Sequence, residues 1–472
     1  MRTRSGAAVL ALLLAGCSMA PAYRPETVAA PATFKEVEGW TAATPLDAAP
    51  RGPWWEAFGD PVLDDLESKA EAASPTLAAA LARYDQARAL VRDSRADLFP
   101  QLGVGADASR QRVSAGRPLS TGEARTYNDF SVGGALDYEL DLWGRIRNGA
   151  KAAGADAQAS AADLASARLS LQAAVADAYF RLRGLDAQAA LLRQTVDAFE
   201  KAYDLTRRRH DGGIVSGIDV NRARTVLGNA KAEISAIASQ RAATEHEIAA
   251  LTGAVASGFA VAPLVQAFAA PEGVATGIPS QLLQRRPDIA AAERRMAAAN
   301  ARIGVAKAAF FPDLTLGLSG GWQTTHGELL TTPNSFWALG PLSAALAIFD
   351  GGRRAAKVRL SRAEYEETAA TYRETVLTAF RQVEDAIAAN RLLATQIADQ
   401  KAAADAASRT SALALTRYRD GAADYLEVVT AQTDALDAQR AVLTVETDLM
   451  QARVALVRAL GGDATQDHPT SR

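Results

Sequence analysis

The feature that most constrains this 472-residue chain is a tandem duplication. Each half has the same order of patterns: a helix, two strands and then two very long helices. A repeat on this scale indicates two equivalent halves with one shared architecture. The matched positions are Gly144-Arg145 with Gly352-Arg353 and Thr252-Gly253 with Leu460-Gly461, 208 positions apart without a gap, and Pro75 with Pro287, 212 positions apart.

Composition and charge exclude several classes of protein. The 51 basic and 54 acidic residues give a net charge of −3, which argues against nucleic acid as a partner. No internal apolar run reaches the roughly 18 residues that a transmembrane helix needs. The four histidines are far apart and lack metal-ligand spacing, and no glycine-rich phosphate loop leads into a helix. We therefore expect neither a metal nor a bound cofactor, apart from a covalent lipid.

The N-terminus predicts export and lipid attachment. Two arginines precede an apolar run over residues 7–15, which is the pattern of a secretory signal. The only cysteine, Cys17, follows Leu14-Ala15-Gly16, which resembles the lipobox of bacterial lipoproteins. We expect residues 1–16 to be removed and Cys17 to carry the lipid, with Ser18 directing the protein to the outer membrane. The alternative is a chance cysteine beside an ordinary cleavage site.

Proline placement predicts two helical hairpins. No proline lies between Pro118 and Pro263, or between Pro341 and Pro469. Within the first of these spans, a helix from residue 145 to about 209 would be about 95 Å long at 1.5 Å per residue. The second span repeats the pattern, and each long helix is followed by a turn and a returning helix. Helices of this length favour coiled-coil packing.

Strand patterns precede each hairpin. Apolar and polar residues alternate at about 101–112 and 127–142 in the first half, and at about 313–322 and 336–349 in the second. The last of these alternates poorly, so its prediction depends on the repeat. Alternation is typical of lipid-facing strands, but also of half-buried strands in a soluble sandwich, and the pattern leaves both open. Since the smallest single-chain barrels have about eight strands, either this sheet packs on something or several chains pool their strands.

Several motifs together resemble a known family. The run from Ile278 to Ile289, with Arg285-Arg286-Pro287-Asp288 near its end, resembles the signature of outer-membrane efflux lipoproteins of the TolC-like family, NodT/OprM type. Further matches are Cys17 with Pro21, Tyr23, Arg24 and Pro25; Trp54-Trp55 with Phe58, Asp60, Pro61 and Leu63; Phe349-Asp350-Gly351-Gly352-Arg353; and Arg417-Tyr418-Arg419-Asp420-Gly421 with Tyr425-Leu426.

The resemblance implies an α+β membrane protein that forms a homotrimer. Each tandem-duplicated protomer would contribute four strands to a 12-stranded outer-membrane barrel, and its long helices to a periplasmic α-barrel. The implied function is a passive exit duct for drugs or other small molecules in a tripartite efflux pump. Its partners would be a periplasmic adaptor, an inner-membrane transporter of the RND type and outer-membrane lipids. A lipid-anchored position in the outer membrane of a Gram-negative bacterium, reaching into the periplasm, follows from the same resemblance.

Two alternative functions stay open at this point. One is a TolC-like duct for type I protein secretion, and the other is a lipidated periplasmic adaptor or scaffold. The sequence divides into the following segments: a signal peptide (1–16), a lipid-anchored N-terminal and equatorial segment (17–74), repeat 1 (75–253, hairpin 145–253), a linker or equatorial segment (254–286), repeat 2 (287–461, hairpin 353–461) and a tail (462–472).

The hairpin tips hold the candidate functional residues. We hypothesise that Asp420, with Asp424, forms an acidic constriction at the periplasmic end, because three-fold symmetry would bring three copies of each acid near one axis. Asp424 also fits the N-cap pattern of a helix start, as does Ser216. Both functions are compatible for Asp424.

The resemblance also makes the hairpin tips the functional ends of the tunnel, and their residues are candidates for contact with the adaptor. Matched across the repeat, Arg209 and Arg417 could receive the adaptor, or could simply complement the helix dipole. Gly213 and Gly421 suit tight turns that need a positive φ.

An enzymatic function is not expected. Gly317-Leu318-Ser319-Gly320-Gly321 matches the G-x-S-x-G pattern of hydrolases. It lies within an alternating strand and no helix pattern follows it, whereas the hydrolase motif requires a strand-to-helix turn. Activity that disappears with Ser319→Ala would be needed to support a hydrolase.

Overall fold

The computed structural model describes residues 18–26, 35, 52–116, 122–264 and 286–462. Cys17 and the first eight residues of the signature run lie outside these described residues. The chain divides into two compact units. The first contains Met1–Thr27, Arg83–Ala161 and Ala291–Arg373, and the second contains Val28–Ala82, Ala162–Ala290 and Glu374–Arg472.

The element order repeats, as the duplication predicts. Both long helices have 67 residues and both returning helices have 35. Among the described helices, none is both long and apolar enough to cross a membrane. The elements are α1 (Pro61–Ala73), α2 (Pro75–Ala96), β1 (Gln101–Val113), β2 (Arg125–Glu139), α3 (Arg145–Asp211), α4 (Gly217–Leu251), α5 (Pro287–Ala308), β3 (Asp313–Thr324), β4 (Ser335–Ala345), α6 (Arg353–Arg419) and α7 (Tyr425–Ala459).

All four strands form one antiparallel sheet in the first unit, in the order β1-β2-β3-β4. The two central strands, β2 and β3, lie so close together that a Cβ on Gly321 would be 2.2 Å from the carbonyl oxygen of Val132. Glycine at this position is therefore required by space. The register between β3 and β4 shifts between Leu316 and Leu318, opposite Pro341, which has no N–H to donate to a ladder.

The two edge strands expose large apolar side chains. Leu102 and Val104 of β1 are 75 % and 82 % exposed, and Trp337 and Leu339 of β4 are 81 % and 72 % exposed. Exposure of this extent on successive outward positions leaves an apolar band on the sheet.

β2 ends at Glu139, so the prediction that this strand continues to residue 142 is wrong. Asp141 is recruited by the following helix, where its carboxylate accepts from the backbone N–H groups of Ile146 and Arg147 at 3.2 and 2.9 Å. The alternating pattern continued past this point, but the unpaired N–H groups at a helix start compete for the same residue.

β4 similarly ends at Ala345, four residues before the predicted end at 349. Asp350 takes the part that Asp141 has in the first repeat, because its carboxylate accepts from the N–H groups of Gly352 and Arg354 at 2.9 and 3.1 Å. The guanidinium of Arg354 also donates to the Asp350 carboxylate at 2.7 Å. Both long helices therefore begin on a carboxylate from the preceding connection.

In the second unit, the N-terminal segment packs on α3. The indole N–H of Trp54 donates to Gln172 at 3.1 Å, and Asp60 caps α1 by accepting from Val62 at 2.9 Å. The hydroxyl of buried Tyr179 donates to the same Asp60. The Trp-Trp motif thus attaches the N-terminal segment to the first hairpin.

The end of the signature run attaches the second repeat to its own hairpin. Buried Arg286 donates to the Asp288 carboxylate at 2.7 Å, to the Gln382 side chain at 2.8 Å and to the carbonyl oxygen of Ala459 at 3.1 Å. One guanidinium therefore joins the start of α5 to both helices of the second hairpin. This geometry gives the arginine of the signature a structural role.

Candidate functional site

The candidate site consists of the two hairpin tips, both in the second unit. Tip 1 is residues 209–219, where α3 connects to α4, and tip 2 is residues 417–427, where α6 connects to α7. Each long helix ends on a glycine with positive φ, Gly213 at 72° and Gly421 at 77°. The N–H of Ile214 donates to the carbonyl oxygen of Arg209 at 2.8 Å, and that of Ala422 donates to Arg417 at 2.8 Å. Both ends are therefore Schellman motifs, and the prediction that these glycines adopt positive φ is confirmed.

The helix that follows begins differently in each tip. At tip 2, the Asp424 carboxylate accepts from the N–H of Glu427 at 3.0 Å, so the predicted cap is confirmed. At tip 1, Ser216 occupies the N-cap position without a side-chain cap bond, and its hydroxyl donates to Asp219 at 3.0 Å. The prediction of a serine cap is wrong, because the neighbouring carboxylate is a stronger acceptor for that hydroxyl.

A buried tyrosine pair connects the two tips. Tyr418 and Tyr425 are 1 % and 3 % exposed, and their rings meet edge to face with centroids 5.4 Å apart. They belong to one apolar cluster with Ala202 of α3 and Ala223 of α4, so both hairpins contribute to it. Burial raises the pKa of Tyr425 to about 12, with smaller contributions from Tyr418 and from the charge of Asp219.

The two matched arginines have different partners. Arg209 donates to the carbonyl oxygen of Tyr418, and its guanidinium lies 4.6 Å from the centroid of the Tyr418 ring. Arg417 instead stays within its own hairpin, where it pairs with Glu427 at 2.5 Å and donates to the carbonyl oxygen of Ala422 at 3.2 Å. Arg209 therefore joins the tips, whereas Arg417 braces only the second of them.

Both candidate gate acids are exposed in tip 2. Asp424 is committed to its cap, but the carboxylate of Asp420 has no ion pair or hydrogen bond among the described residues. Tip 1 has Gly212 and Ser216 at the two matched positions. At these two matched positions, acids are therefore present in the second repeat only.

The family model for outer membrane efflux proteins matches residues 66–254 and 278–462, which cover both repeats. The chain belongs to the outer membrane efflux protein family. The toluene efflux pump outer membrane protein TtgC of Pseudomonas putida is 33 % identical over 96 % of this chain and 94 % of that protein. The pyoverdine export outer membrane protein OpmQ of Pseudomonas aeruginosa is 34 % identical over 97 % and 96 %. The solved structure of the outer-membrane channel OprN, 30 % identical, covers 94 % of this chain and 99 % of its own with a TM-score of 0.87.

Membership confirms the main predictions from the sequence. The chain has the TolC-like tandem α+β fold of these channels and the outer-membrane location of the efflux family. The matched family is one of outer membrane efflux proteins, which confirms the efflux channel and not the adaptor. Ser319 lies inside β3 opposite Ala135 and Ala338, not at a strand-to-helix turn.

The contact that sequence reasoning missed in this efflux protein is the tyrosine pair. A signal for it was present in the repeat: Tyr418 and Tyr425 replace His210 and Gly217 of tip 1. In tip 1 these two residues also meet, since a Cβ on Gly217 would lie 3.7 Å from the His210 ring. A matched pair that changes together from small and polar to aromatic indicates a contact that the second tip has enlarged.

Proposed function

We propose that this outer membrane efflux protein is the passive exit duct of a tripartite pump. It would act as a homotrimer with a periplasmic adaptor and an inner-membrane transporter of the RND type. The carrying observation is the family match across both repeats, together with a four-stranded sheet whose two edge strands are unpaired among the described residues. Open edges and exposed apolar side chains favour pairing with further copies of the same chain.

The helices add support for association. Four leucines of α6 are more than half exposed, which is unfavourable for a helix that faces only water. They are Leu360, Leu377, Leu392 and Leu413, at 58 %, 62 %, 60 % and 66 %. Packing against neighbouring copies would bury them. Mass measurement of the purified full-length chain in detergent tests the trimer, and a stable monomer would contradict it.

Asp420 and Asp424 would form the periplasmic gate. The support is their exposure in tip 2 and the absence of acids at the matched positions of tip 1. In a trimer, six carboxylates around one axis would attract cations and set a negative potential at the narrow end. Neutral residues at both positions would remove that potential.

Single-channel recording of the full-length protein in planar bilayers tests this gate. The variant Asp420→Asn with Asp424→Asn removes both charges, and asparagine keeps the helix cap. We expect a clear loss of cation preference and a change of conductance. Asp211→Asn is the matched control, because it removes an exposed acid from tip 1. Unchanged conductance and ion preference in the double variant would refute the gate.

The adaptor would bind at the same tips, around Arg209, Gly213, Arg417 and Gly421. Tip 1 presents two strongly exposed apolar residues there, Ile214 at 67 % and Ile218 at 63 %. Since Arg209 is held by Tyr418, its contribution would be to position tip 1, whereas the exposed isoleucines supply contact area.

Cys17 would carry the lipid. It lies outside the described residues, but the residue after it is held in place, since the hydroxyl of Ser18 donates to Asn148 at 2.9 Å near the start of α3. Intact mass of the purified chain would reveal the lipid.

Overall similarity to the relatives does not identify the substrate of this protein. Relatives of nearly equal identity are named for two different compounds, toluene and pyoverdine. This supports a duct that accepts what its inner-membrane partner delivers.

A further inference from the structure

The starts of the two long helices differ in charge. The first two turns of α6 hold four cations and no acid, and those of α3 hold three. In the first repeat, Arg145 pairs with Glu139 at 2.5 Å and Arg147 with Asp141 at 3.1 Å, so only Lys151 has no partner among the described residues.

The start of α6 keeps most of its charges unpaired. Arg354 is bound to Asp350, but Arg353, Lys357 and Arg359 are exposed and form no ion pair within the described parts of the chain. Cations at a helix N-terminus are also unfavourable, because the helix dipole places partial positive charge there. Arg353 lies in the first turn, and Lys357 and Arg359 follow it in the next, so an external anion at the start of α6 would be stabilised by all three charges.

The preceding connection indicates what that anion is. Ile348 and Phe349 are 96 % and 90 % exposed, only a few residues before Arg353. They extend the apolar band that β4 presents through Trp337 and Leu339. An apolar band followed directly by cations is the arrangement of a membrane-water interface, where the apolar side chains enter the acyl region and the cations meet phosphate.

The distances fit a lipid surface. Arg353 and Arg359 are separated by a helix rise of about 9 Å, close to the Debye length of about 8 Å at physiological ionic strength. The headgroup layer on each side of a bilayer is about 5 to 8 Å thick. A helix that starts at the membrane surface would therefore hold all three cations in or just below the headgroup layer, which long arginine and lysine side chains can reach.

We propose that Arg353, Lys357 and Arg359 bind the headgroups of anionic phospholipids on the periplasmic side of the outer membrane. The binding fixes the depth of the second repeat in the membrane. The first repeat, whose arginines are neutralised by Glu139 and Asp141, contributes much less. The site rests on the outer-membrane location of the family and is independent of the gate and of the pump partners.

Native mass spectrometry of the full-length protein in detergent tests this site. Phosphatidylglycerol is titrated against phosphatidylethanolamine, and the bound lipids are counted for wild type and for Arg353→Gln/Lys357→Gln/Arg359→Gln. We expect each cation to contribute about a fivefold preference for the anionic lipid, so the triple variant loses most of it. Higher salt weakens the wild-type preference and leaves the variant unchanged.

A matched control removes the same number of cations far from the sheet. Arg193→Gln/Arg224→Gln/Arg409→Gln changes three exposed residues in the hairpins and should keep the wild-type preference. Arg353→Lys/Arg359→Lys retains the charge and should also keep it, which separates lipid binding from a folding defect. The proposal is overturned if the glutamine variant binds phosphatidylglycerol as wild type does, or if both triple variants lose it equally.

Discussion

Gly213 and Gly421 end the two long helices with the same hydrogen bonds, yet the side chains around them differ. In tip 1 the returning helix starts without a side-chain cap bond, and two isoleucines are exposed. Tip 2 has a capped helix, a buried tyrosine pair and the acids of the proposed gate. The duplication gives both hairpins the same backbone turn, and the side chains differ. Tip 2 is held by its own helix cap and tyrosine pair, whereas tip 1 is held through the contact of Arg209 with Tyr418. Substitutions at matched positions can test this division.

The tyrosine pair should be the strongest link between the tips. Tyr425→Ala removes a ring that is 3 % exposed, and we expect a loss of about 3 to 5 kcal/mol in local stability. Hydrogen exchange of the full-length protein should show faster exchange at the start of α7 and also at the end of α3. Tyr425→Phe keeps the ring and should change little. If only α7 exchanged faster, tip 1 would not depend on this pair.

The same ring should make the link sensitive to alkali. Burial raises the pKa of Tyr425 from about 10 to about 12. Its contribution is fully present below pH 10 and is lost as the pH rises through 12, by about 3 kcal/mol in all. The tyrosinate absorbance that Tyr425→Phe removes should titrate near pH 12, and protease cleavage at the tips should increase in the same range in the wild type only. Titration of this difference near pH 10 would show that the ring is not buried between the tips.

The sequence predicts the local parts of this site better than its contacts. The positive φ of Gly421 and the cap by Asp424 follow from residue type and neighbouring positions. Ser216 fits the same cap pattern and fails, since a carboxylate one turn away takes its hydroxyl. The contact of Arg209 with Tyr418 joins residues from opposite repeats, so it depends on how the hairpins pack. No local pattern encodes that packing.

The strands show the same limit. Alternation located β1, β2 and β3, because inward and outward faces impose a period of two, and the repeat located β4. The predicted ends of β2 and β4 lie too far along the chain, because the last predicted residues belong to the connection to the next helix, where Asp141 and Asp350 accept from its N–H groups. Where a residue fits both the end of a strand and the start of a helix, only the folded structure shows which of the two it joins.

The matched arginines should differ in effect. Arg209→Ala removes a guanidinium that lies on a buried ring and donates to a carbonyl of the other hairpin, which we expect to cost about 2 kcal/mol. Arg417→Ala breaks an exposed pair with Glu427, which should cost less than about 1 kcal/mol. Double-mutant cycles with Tyr418→Phe and Tyr418→Ala, read by hydrogen exchange at the tips, separate the ring from the backbone contribution. Equal losses for the two arginines would contradict the assignment of Arg209 as the link.

The helix caps give the smallest difference. Asp424→Ala removes the bond to the N–H of Glu427 and should cost about 1 kcal/mol, whereas Ser216→Ala, which removes no cap bond, should stay near zero. The exchange rate of the Glu427 amide is the direct measurement, and Asp424→Asn should preserve its protection because an amide oxygen also accepts. Since that variant removes the charge and keeps the cap, it also separates the two roles of Asp424. Loss of ion preference in Asp424→Asn with an unchanged Glu427 amide would assign the charge to the gate and the oxygen to the helix.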